Sequence, residues 1–433
     1  MTADGKYFEP AIETLPRAQL EALQEERLLE ILPYVYERSR LYREKWDAAG
    51  VHPRDIRTIE DFRNRIPFLT KDDLRDWRAR HDDYTNGLLC VDPKEVSIVT
   101  SSTGSTGEPT YFFERWDYGW ERMWTCMARD LWHMGIRPGD VVIAASSYRG
   151  PTHHTAQLLG AVPFFMPGGM GNWPELFSLF RELRPAYMQL GGPQVVELNQ
   201  LSDRFDLRAE FASFKAVSFA GEPIGSRMRE RAVRDWGLNF FVWSSAGDTG
   251  LAFECNRHDG FHLWEDTVLV EHLDPGTGRP VEDGALGELV VTAIDNRIAP
   301  LIRFRAEDLI RFDRTPCGCG RTHARMWLRG RAGDELRVGP RTVMPMDVWS
   351  AIEVLPETEG GVFQIVAPGR TLSELRVRVG YDPARTGDLA DLSHRVGAAI
   401  EAATGVAPVL EMHPNEVLLA RALSSKLPRV VKS

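Results

Sequence analysis

Val141-Val142-Ile143-Ala144-Ala145-Ser146 is an apolar run that closes on small residues. Three runs of the same kind follow it: Ala186-Tyr187-Met188-Gln189-Leu190-Gly191, Ala216-Val217-Ser218-Phe219-Ala220-Gly221 and Phe240-Phe241-Val242-Trp243-Ser244-Ser245. Each has the length of a buried strand. Between the first two lies WPELFSLFREL (173–183), whose apolar residues fall at helical spacing. Buried strands alternating with helices predict a parallel sheet with helices on its faces, an α/β fold. Such sheets bind ligands beyond the carboxyl ends of their strands, so the small residues that end these runs mark the place for a site.

Upstream, Leu20, Leu23, Leu28, Ile31, Leu32 and Tyr36 recur at near-helical spacing and predict a helix over 17–47. Pro67 and the cap-like Thr70 open another short helix. Trp120, Met123, Trp124, Met127, Leu131 and Met134 form an apolar stripe, read as a helix packed on a sheet rather than an aromatic cofactor box. Downstream of Gly250 the texture changes. TVLVEHLD (267–274), a turn at PGTG and GELVVTAI (287–294) predict antiparallel strands. A further change near Gly330 divides the chain into residues 1–330 and an α+β unit, 331–433, of about 100 residues.

Composition narrows the classes. Apolar residues make up 43% and charged residues 26% of the 433, which excludes disorder, collagen and coiled coil as descriptions of the whole. The net charge of −10 argues against a general nucleic-acid or anionic-membrane binder. The five cysteines are odd in number and spread through a long chain, so they are not a disulfide scaffold. No apolar stretch reaches the roughly 18 residues a membrane span needs, and MTADGKYFEP lacks the pattern of a signal peptide. The expected address is the cytoplasm, without a membrane partner.

Two constellations carry chemistry. Ser102-Thr103-Gly104-Ser105-Thr106-Gly107-Glu108-Pro109-Thr110 follows the strand-like VSIVT (96–100). Glycines let backbone amides approach a phosphate and hydroxyls add donors; a surface turn of Gly and Ser has the same composition. The second set is Cys255, His262, Cys317 and Cys319, with His258 and the more distant His323 as alternative ligands. Cys317-Gly318-Cys319 presents two thiolates in a tight turn and Cys255-x6-His262 offers two more ligands. A closed Cys3His zinc site and a coincidence of cysteines both fit this spacing.

STGSTGEPT resembles the phosphate loop of adenylate-forming enzymes: acyl- and aryl-CoA ligases, adenylation domains and luciferases. From about Leu20 onward the chain is similar to the phenylacetate–CoA ligase branch. The matching text is YERSRLYREKW, AAGVHPRDI, IPFLTKDDLRD, GIRPGDVV, FAGEPIG, PLIRFRAEDLIRF, CGCGRTH and SSKLPRVV. The resemblance implies an N-terminal adenylation domain of parallel α/β sheets with a β-barrel-like part, and a mobile C-terminal lid. It implies that Ser102, Thr103, Gly104, Ser105, Thr106 and Gly107 hold the β- and γ-phosphates of ATP. Gly221, Glu222 and Pro223 pack around adenine, and Asp308 binds the ribose hydroxyls. A carboxylate that accepts two hydroxyl hydrogen bonds suits a cis-diol; Arg305, three residues earlier, balances phosphate charge.

Asp248 takes the place of the acid that binds Mg²⁺, although the family's Tyr-Gly is missing from Trp243-Ser244-Ser245-Ala246-Gly247-Asp248 and Ser244 falls where the tyrosine would be. Lys426 matches the catalytic lysine and Arg331 the Gly-Arg at the lid hinge. The pivot aspartate after it is Gly333, and Val338-Gly339-Pro340-Arg341 departs from the family's loop at the thioester-forming site. The acid's pocket is expected between residues 148 and 250, from Tyr148, Arg149, His153, Trp243 and Ser244, with a solvated loop and core packing as the alternative readings. The family's matching Cys…His…Cys-x-Cys set implies structural zinc.

The function implied is ATP- and Mg²⁺-dependent activation of a carboxylic acid, an aromatic one, as acyl-adenylate with release of pyrophosphate, then transfer to coenzyme A. A homodimer is a family-level expectation. The altered hinge and loop motivate an amide or ester synthetase with an amine or carrier protein as acceptor. The missing Tyr-Gly and hinge aspartate motivate a non-catalytic nucleotide-binding relative.

Overall fold

The computed structural model describes residues 5–101, 111–115, 119–144, 150–165, 172–220, 224–245, 247–332, 334–421 and 427–432. They form two compact units, and neither follows a single cut along the chain. One comprises Met1–Pro138, Arg149–Ala161 and Trp243–Arg329; the other comprises Gly139–Tyr148, Val162–Val242 and Gly330–Ser433.

The second unit contains the parallel sheet. Its strands run in the order Val162–Phe165, Val141–Ala144, Tyr187–Leu190, Ala216–Phe219 and Phe240–Ser245, every pair parallel. The alternation read from the sequence produces it: Trp173–Leu183 and Gly192–Leu201 are helices between strands, and Ser226–Arg234 is a third. The Trp173 helix buries Trp173, Leu176, Phe177 and Phe180, its apolar stripe. The C-terminal part of this unit has its own core. Val343, Val348, Ile352, Phe363, Ile365, Val377, Leu392, Val396 and Ile400 pack together between two small sheets and the helices Pro345–Ile352 and Leu389–Thr404.

The first unit is built on antiparallel strands, Val268–Leu273, Leu286–Ala293, Phe304–Asp313, Arg325–Arg331, Phe261–Leu263 and Leu251–Glu254 in that order. A barrel-like part was expected here. Among the described strands the ladder does not close: Val268–Leu273 is its edge, next to a helix, and Leu251–Glu254 at the other end pairs onward with Phe240–Ser245. Gln24 Nε2 donates to Val268 O at 3.1 Å from the helix Arg17–Arg38, and covering an edge removes the need to pair it. That helix buries Leu28, Ile31, Leu32 and Val35 against Val268, Val270, Val291, Phe304 and Ile310. The helix expected over 17–47 is two helices, broken at Ser39. Ser39 caps Arg40–Ala48 by accepting from Tyr42 N, and its hydroxyl donates to Gly87 O at 2.7 Å. Thr70 caps Lys71–His81 in a reciprocal capping box with Asp73, as its position implied. Among the described residues no helix is long and apolar enough to cross a membrane.

One buried ion pair crosses this core. Arg303 makes a fork to both Glu271 oxygens at 2.9–3.3 Å and donates to Ile66 O. The two side chains are 8% and 3% exposed. Removing the guanidinium strands a buried carboxylate. Arg303→Met should therefore cost about 3–5 kcal/mol in urea denaturation, whereas a change under about 1 kcal/mol would show that Glu271 finds another partner.

Candidate active site and metal centre

The strand Phe304–Asp313 does not pair evenly. Leu309 faces Glu288 and Arg305 faces Val290 across the antiparallel ladder, so Ala306, Glu307 and Asp308 share the span of one partner residue, Leu289. This bulge carries two residues in excess. Bulges turn side chains out of a sheet and recur beside active sites. Glu307 is left-handed at φ 65°, a conformation that disfavours residues with a Cβ.

Three contacts hold the bulge. Leu69 pairs with the strand on its N-terminal side, its N donating to Arg303 O and its O accepting from Arg305 N, both at 2.9 Å. Lys71 Nζ donates to Glu307 Oε2 at 2.6 Å. Arg305 grips the buried Glu288 carboxylate through Nε, at 3.0 and 3.1 Å, and Nη2. Arg305 is thus committed to an acid of its own sheet, and its charge is already balanced within the protein.

The segment that carries Asp248 rests on this bulge. Gly247, at φ 57°, lies so close that a Cβ there would stand 2.9 Å from Ala306 Cβ and 3.0 Å from a Val291 methyl. Asp248 follows, half-buried and also left-handed at φ 63°. The turn leaves the end of the Phe240–Ser245 strand, where Trp243 is buried and Ser244 Oγ donates to Ser245 O at 3.2 Å. Four sequence candidates, Trp243, Ser244, Asp248 and Asp308, therefore belong to one turn and the bulge beneath it.

The remaining candidates divide. Ile98–Ser101 and Tyr111–Glu114, the described residues on either side of 102–110, form an antiparallel pair with Ser101 opposite Tyr111. Ser102, Thr103, Gly104, Ser105, Thr106 and Gly107 themselves lie outside the described residues, as do Tyr148, Arg149, Gly221, Glu222, Pro223, Gly333 and Lys426. His153 sits in the helix Pro151–Leu158 beside His154, whose ring stacks on Trp124 at 4.1 Å. Arg331 ends the strand Arg325–Arg331 after Gly330, and its carbonyl accepts from Asp334 N at 3.1 Å.

The Cys255, His262, Cys317 and Cys319 side chains converge. All four are buried and their ligand atoms lie within 4.8 Å of one another. Cys255 Sγ and Cys317 Sγ are 3.7 Å apart, and Cys319 Sγ is 3.4 Å from His262 Nε2. Zinc–sulfur bonds of about 2.3 Å at tetrahedral angles place thiolates about 3.8 Å apart, so the cell has the right edge length.

The imidazole is oriented from behind, as metal-binding histidines are. His262 Nδ1 donates to His323 O at 2.9 Å, which leaves Nε2 as the lone pair facing the thiols. His323 itself is used up, accepting at Nδ1 from Glu265 N and donating from Nε2 to Ile12 O. His258, near Glu254 Oε2 at 3.5 Å, is not in the set. The protons are shared unequally. A hydrogen bond from Cys255 holds Cys319 down to about 2 against its burial. Cys255 is pushed up by that same bond and by burial. Three thiols and an imidazole can bind a metal ion here by giving up those protons. The loop is pinned to the N-terminal segment, with Arg321 paired to Glu13, both fully buried, and Tyr7 OH donating to Cys319 O at 3.0 Å.

The fit of Gly247 on Ala306 makes a prediction. Gly247→Ala must place a Cβ in a left-handed residue against a buried methyl, at a cost of about 1–2 kcal/mol, read by urea denaturation. An unchanged midpoint would separate the Asp248 turn from the bulge.

No family model matches the chain. It is 33% identical over 383 residues to a phenylacetate-coenzyme A ligase of Thermus thermophilus, covering 86% of this chain and 84% of that protein. A phenylacetate-coenzyme A ligase of Escherichia coli is 33% identical over 347 residues, 77% of this chain and 76% of the relative. Among solved structures, 2-hydroxyisobutyryl-CoA ligase in its postadenylation state with 2-HIB-AMP overlays with a TM-score of 0.85, at 26% identity, across 100% of this chain and 94% of the other. The same ligase with 2-HIB-AMP and CoA in its thioesterification state gives 0.70, at 27% identity, across 100% and 93%. Identity at this level over most of both lengths places the chain in the phenylacetate–CoA ligase family.

Proposed function

We propose that this chain is an AMP-forming acid–CoA ligase acting on an aromatic acid. The observation that carries the reading is the match along 86% of the chain to a phenylacetate-coenzyme A ligase, and the overlay on a ligase that holds an acyl-adenylate supports it. A carboxylate is a poor electrophile because its charge is delocalised. In the first half-reaction its oxygen attacks the α-phosphorus of ATP, the bond to the bridging oxygen breaks and pyrophosphate leaves. In the second, the CoA thiolate attacks the acyl-AMP carbonyl, AMP departs with the bonding pair and the thioester remains.

The 102–107 loop would cradle the β- and γ-phosphates with backbone amides. Asp308, within the bulge, would accept from the ribose hydroxyls. Lys426 would offset charge gathering between carboxylate and α-phosphate. Asp248 would hold Mg²⁺, which supplies charge neutralisation on phosphate oxygens. Arg305 has a structural part, setting the bulge through Glu288. The Cys3His cell would hold zinc with no open coordination position, so its part is to staple the 317–323 loop rather than to catalyse.

Three experiments test these assignments. Lys426→Ala should cut acid-dependent pyrophosphate release about 10²–10³-fold with ATP binding kept. Asp308→Ala should raise the KM for ATP about tenfold or more. Undiminished release in the first, or an unchanged KM in the second, would contradict the roles given. Protein purified without added metal should carry about one zinc per chain, and its removal should lower the melting temperature. A metal-free protein of full stability would dismiss zinc.

A further inference from the structure

Within the second unit the C-terminal segment grips two helices of the parallel sheet's layer through two acids. Glu353, 4% exposed, accepts from Ser226 N at 3.2 Å and from Ser226 Oγ at 2.8 Å, at the first residue of the helix Ser226–Arg234. The approach leaves no room for a side chain at Gly225. A Cβ there would lie 2.0 Å from Glu353 Oε2 and 2.7 Å from Trp349 Nε1. Glu359 receives Arg231 from that helix, Arg385 from its own segment and Asn199 Nδ2, at 3.3 Å, from the helix Gly192–Leu201. Arg385 reaches further, to both oxygens of Asp203 at 2.9 and 3.0 Å.

The same contact holds the chain next to Lys426. Leu427, 4% exposed, packs with Val362 and Leu418 against Val196 of the Gly192–Leu201 helix. Ile365 N donates to Arg429 O at 2.7 Å, and Arg429 Nη1 to Gly361 O at 2.6 Å, so 427–431 is laced into the segment that carries both acids. Gly225 stands two residues after Gly221-Glu222-Pro223. The grip thus joins the residues that follow both of these sequence candidates. The solved ligase overlays this chain at 0.85 in its postadenylation state and at 0.70 in its thioesterification state, at nearly equal identity and coverage. Taken over the whole chain, the likeness is greater to the former.

We infer that Glu353 and Glu359 are positioning residues for adenylate formation. They hold the C-terminal segment, with the 427–431 stretch that follows Lys426 in sequence, against the Ser226–Arg234 and Gly192–Leu201 helices, and they take no part in thioester formation. The inference rests on the ligase reading and on the role given to Lys426. Loss of either acid's hydrogen bonds lowers the population of the held arrangement and only the step that needs it.

The test measures the two half-reactions separately on the full chain. Acid-dependent exchange of pyrophosphate into ATP reports adenylation. Conversion of supplied acyl-AMP to thioester with CoA reports the second step. Glu353→Gln and Glu359→Gln should each slow exchange about tenfold and leave thioester formation at or above the wild-type rate. Arg385→Ala, a change nearer the surface, should do the same more weakly and guards against misfolding of the first two. Equal loss in both half-reactions at wild-type melting temperature, or no change in exchange, would overturn the inference. A wild-type chain silent in both assays contradicts the ligase reading instead.

Discussion

Two surplus residues between Arg305 and Leu309 decide where the candidate site can be. A regular strand would place Asp308 in the ladder, with its direction set by the sheet. The bulge releases it, and the price is local: a left-handed Glu307 and an interrupted set of pairings. The neighbours offset that cost. Leu69 completes the backbone pairing, Lys71 holds Glu307, and Arg305 is tied to the buried Glu288. The Lys71–Glu307 pair is half exposed and contributes little to stability as a salt bridge. Its value is geometric, because it fixes the side chain of the one residue that the sheet cannot. The Gly247-Asp248 turn then has a shaped surface to rest on, which only a glycine can approach.

This explains why the text IPFLTKDDLRD (66–76) belongs with a site far away in sequence. Its last residues form a capped helix, which is what the Thr70 and Asp73 spacing shows. Its first residues are a buttress for the Phe304–Asp313 strand, with Ile66 O accepting from Arg303 and Leu69 pairing on both sides. A motif that reads as helix punctuation is also a buttress of the bulge that carries Asp308. The cluster of three cysteines and a histidine follows the same economy. The Cys317-Gly318-Cys319 turn meets Cys255 and His262, and the His323 backbone that orients His262 sits in a loop fastened to the N-terminal segment by Arg321 and Glu13.

Much of this was legible in the residues. Strand runs ending in small residues gave the parallel sheet, because burial on both faces leaves no other pattern. The resemblance implied a set of Cys255, His262, Cys317 and Cys319, and these four side chains meet in space. Other features were not legible, for definite reasons. The bulge is a register property of two strands, and nothing in RFRAEDL marks two residues as surplus. The pairing of Arg305 with Glu288 depends on the register of two neighbouring strands, which the sequence does not carry. The helix over 17–47 breaks at Ser39 for a contact with Gly87, a tertiary interaction that periodicity does not carry. In place of a closed barrel the described strands form an open ladder, because Leu251–Glu254 pairs with Phe240–Ser245 and not with the edge strand Val268–Leu273. The grip of Glu353 and Glu359 arises from packing between segments more than a hundred residues apart.

The central claim is that the bulge, the turn on it and the C-terminal lysine serve a two-step ligase. The most direct measurement is pyrophosphate release from ATP and Mg²⁺ across a panel of aryl and alkyl acids, each with and without CoA. The account predicts release that rises with an aromatic acid, sustained turnover only when CoA is present, and an acyl-CoA thioester as product. Acid-dependent release indifferent to CoA, or none with any acid, would contradict it.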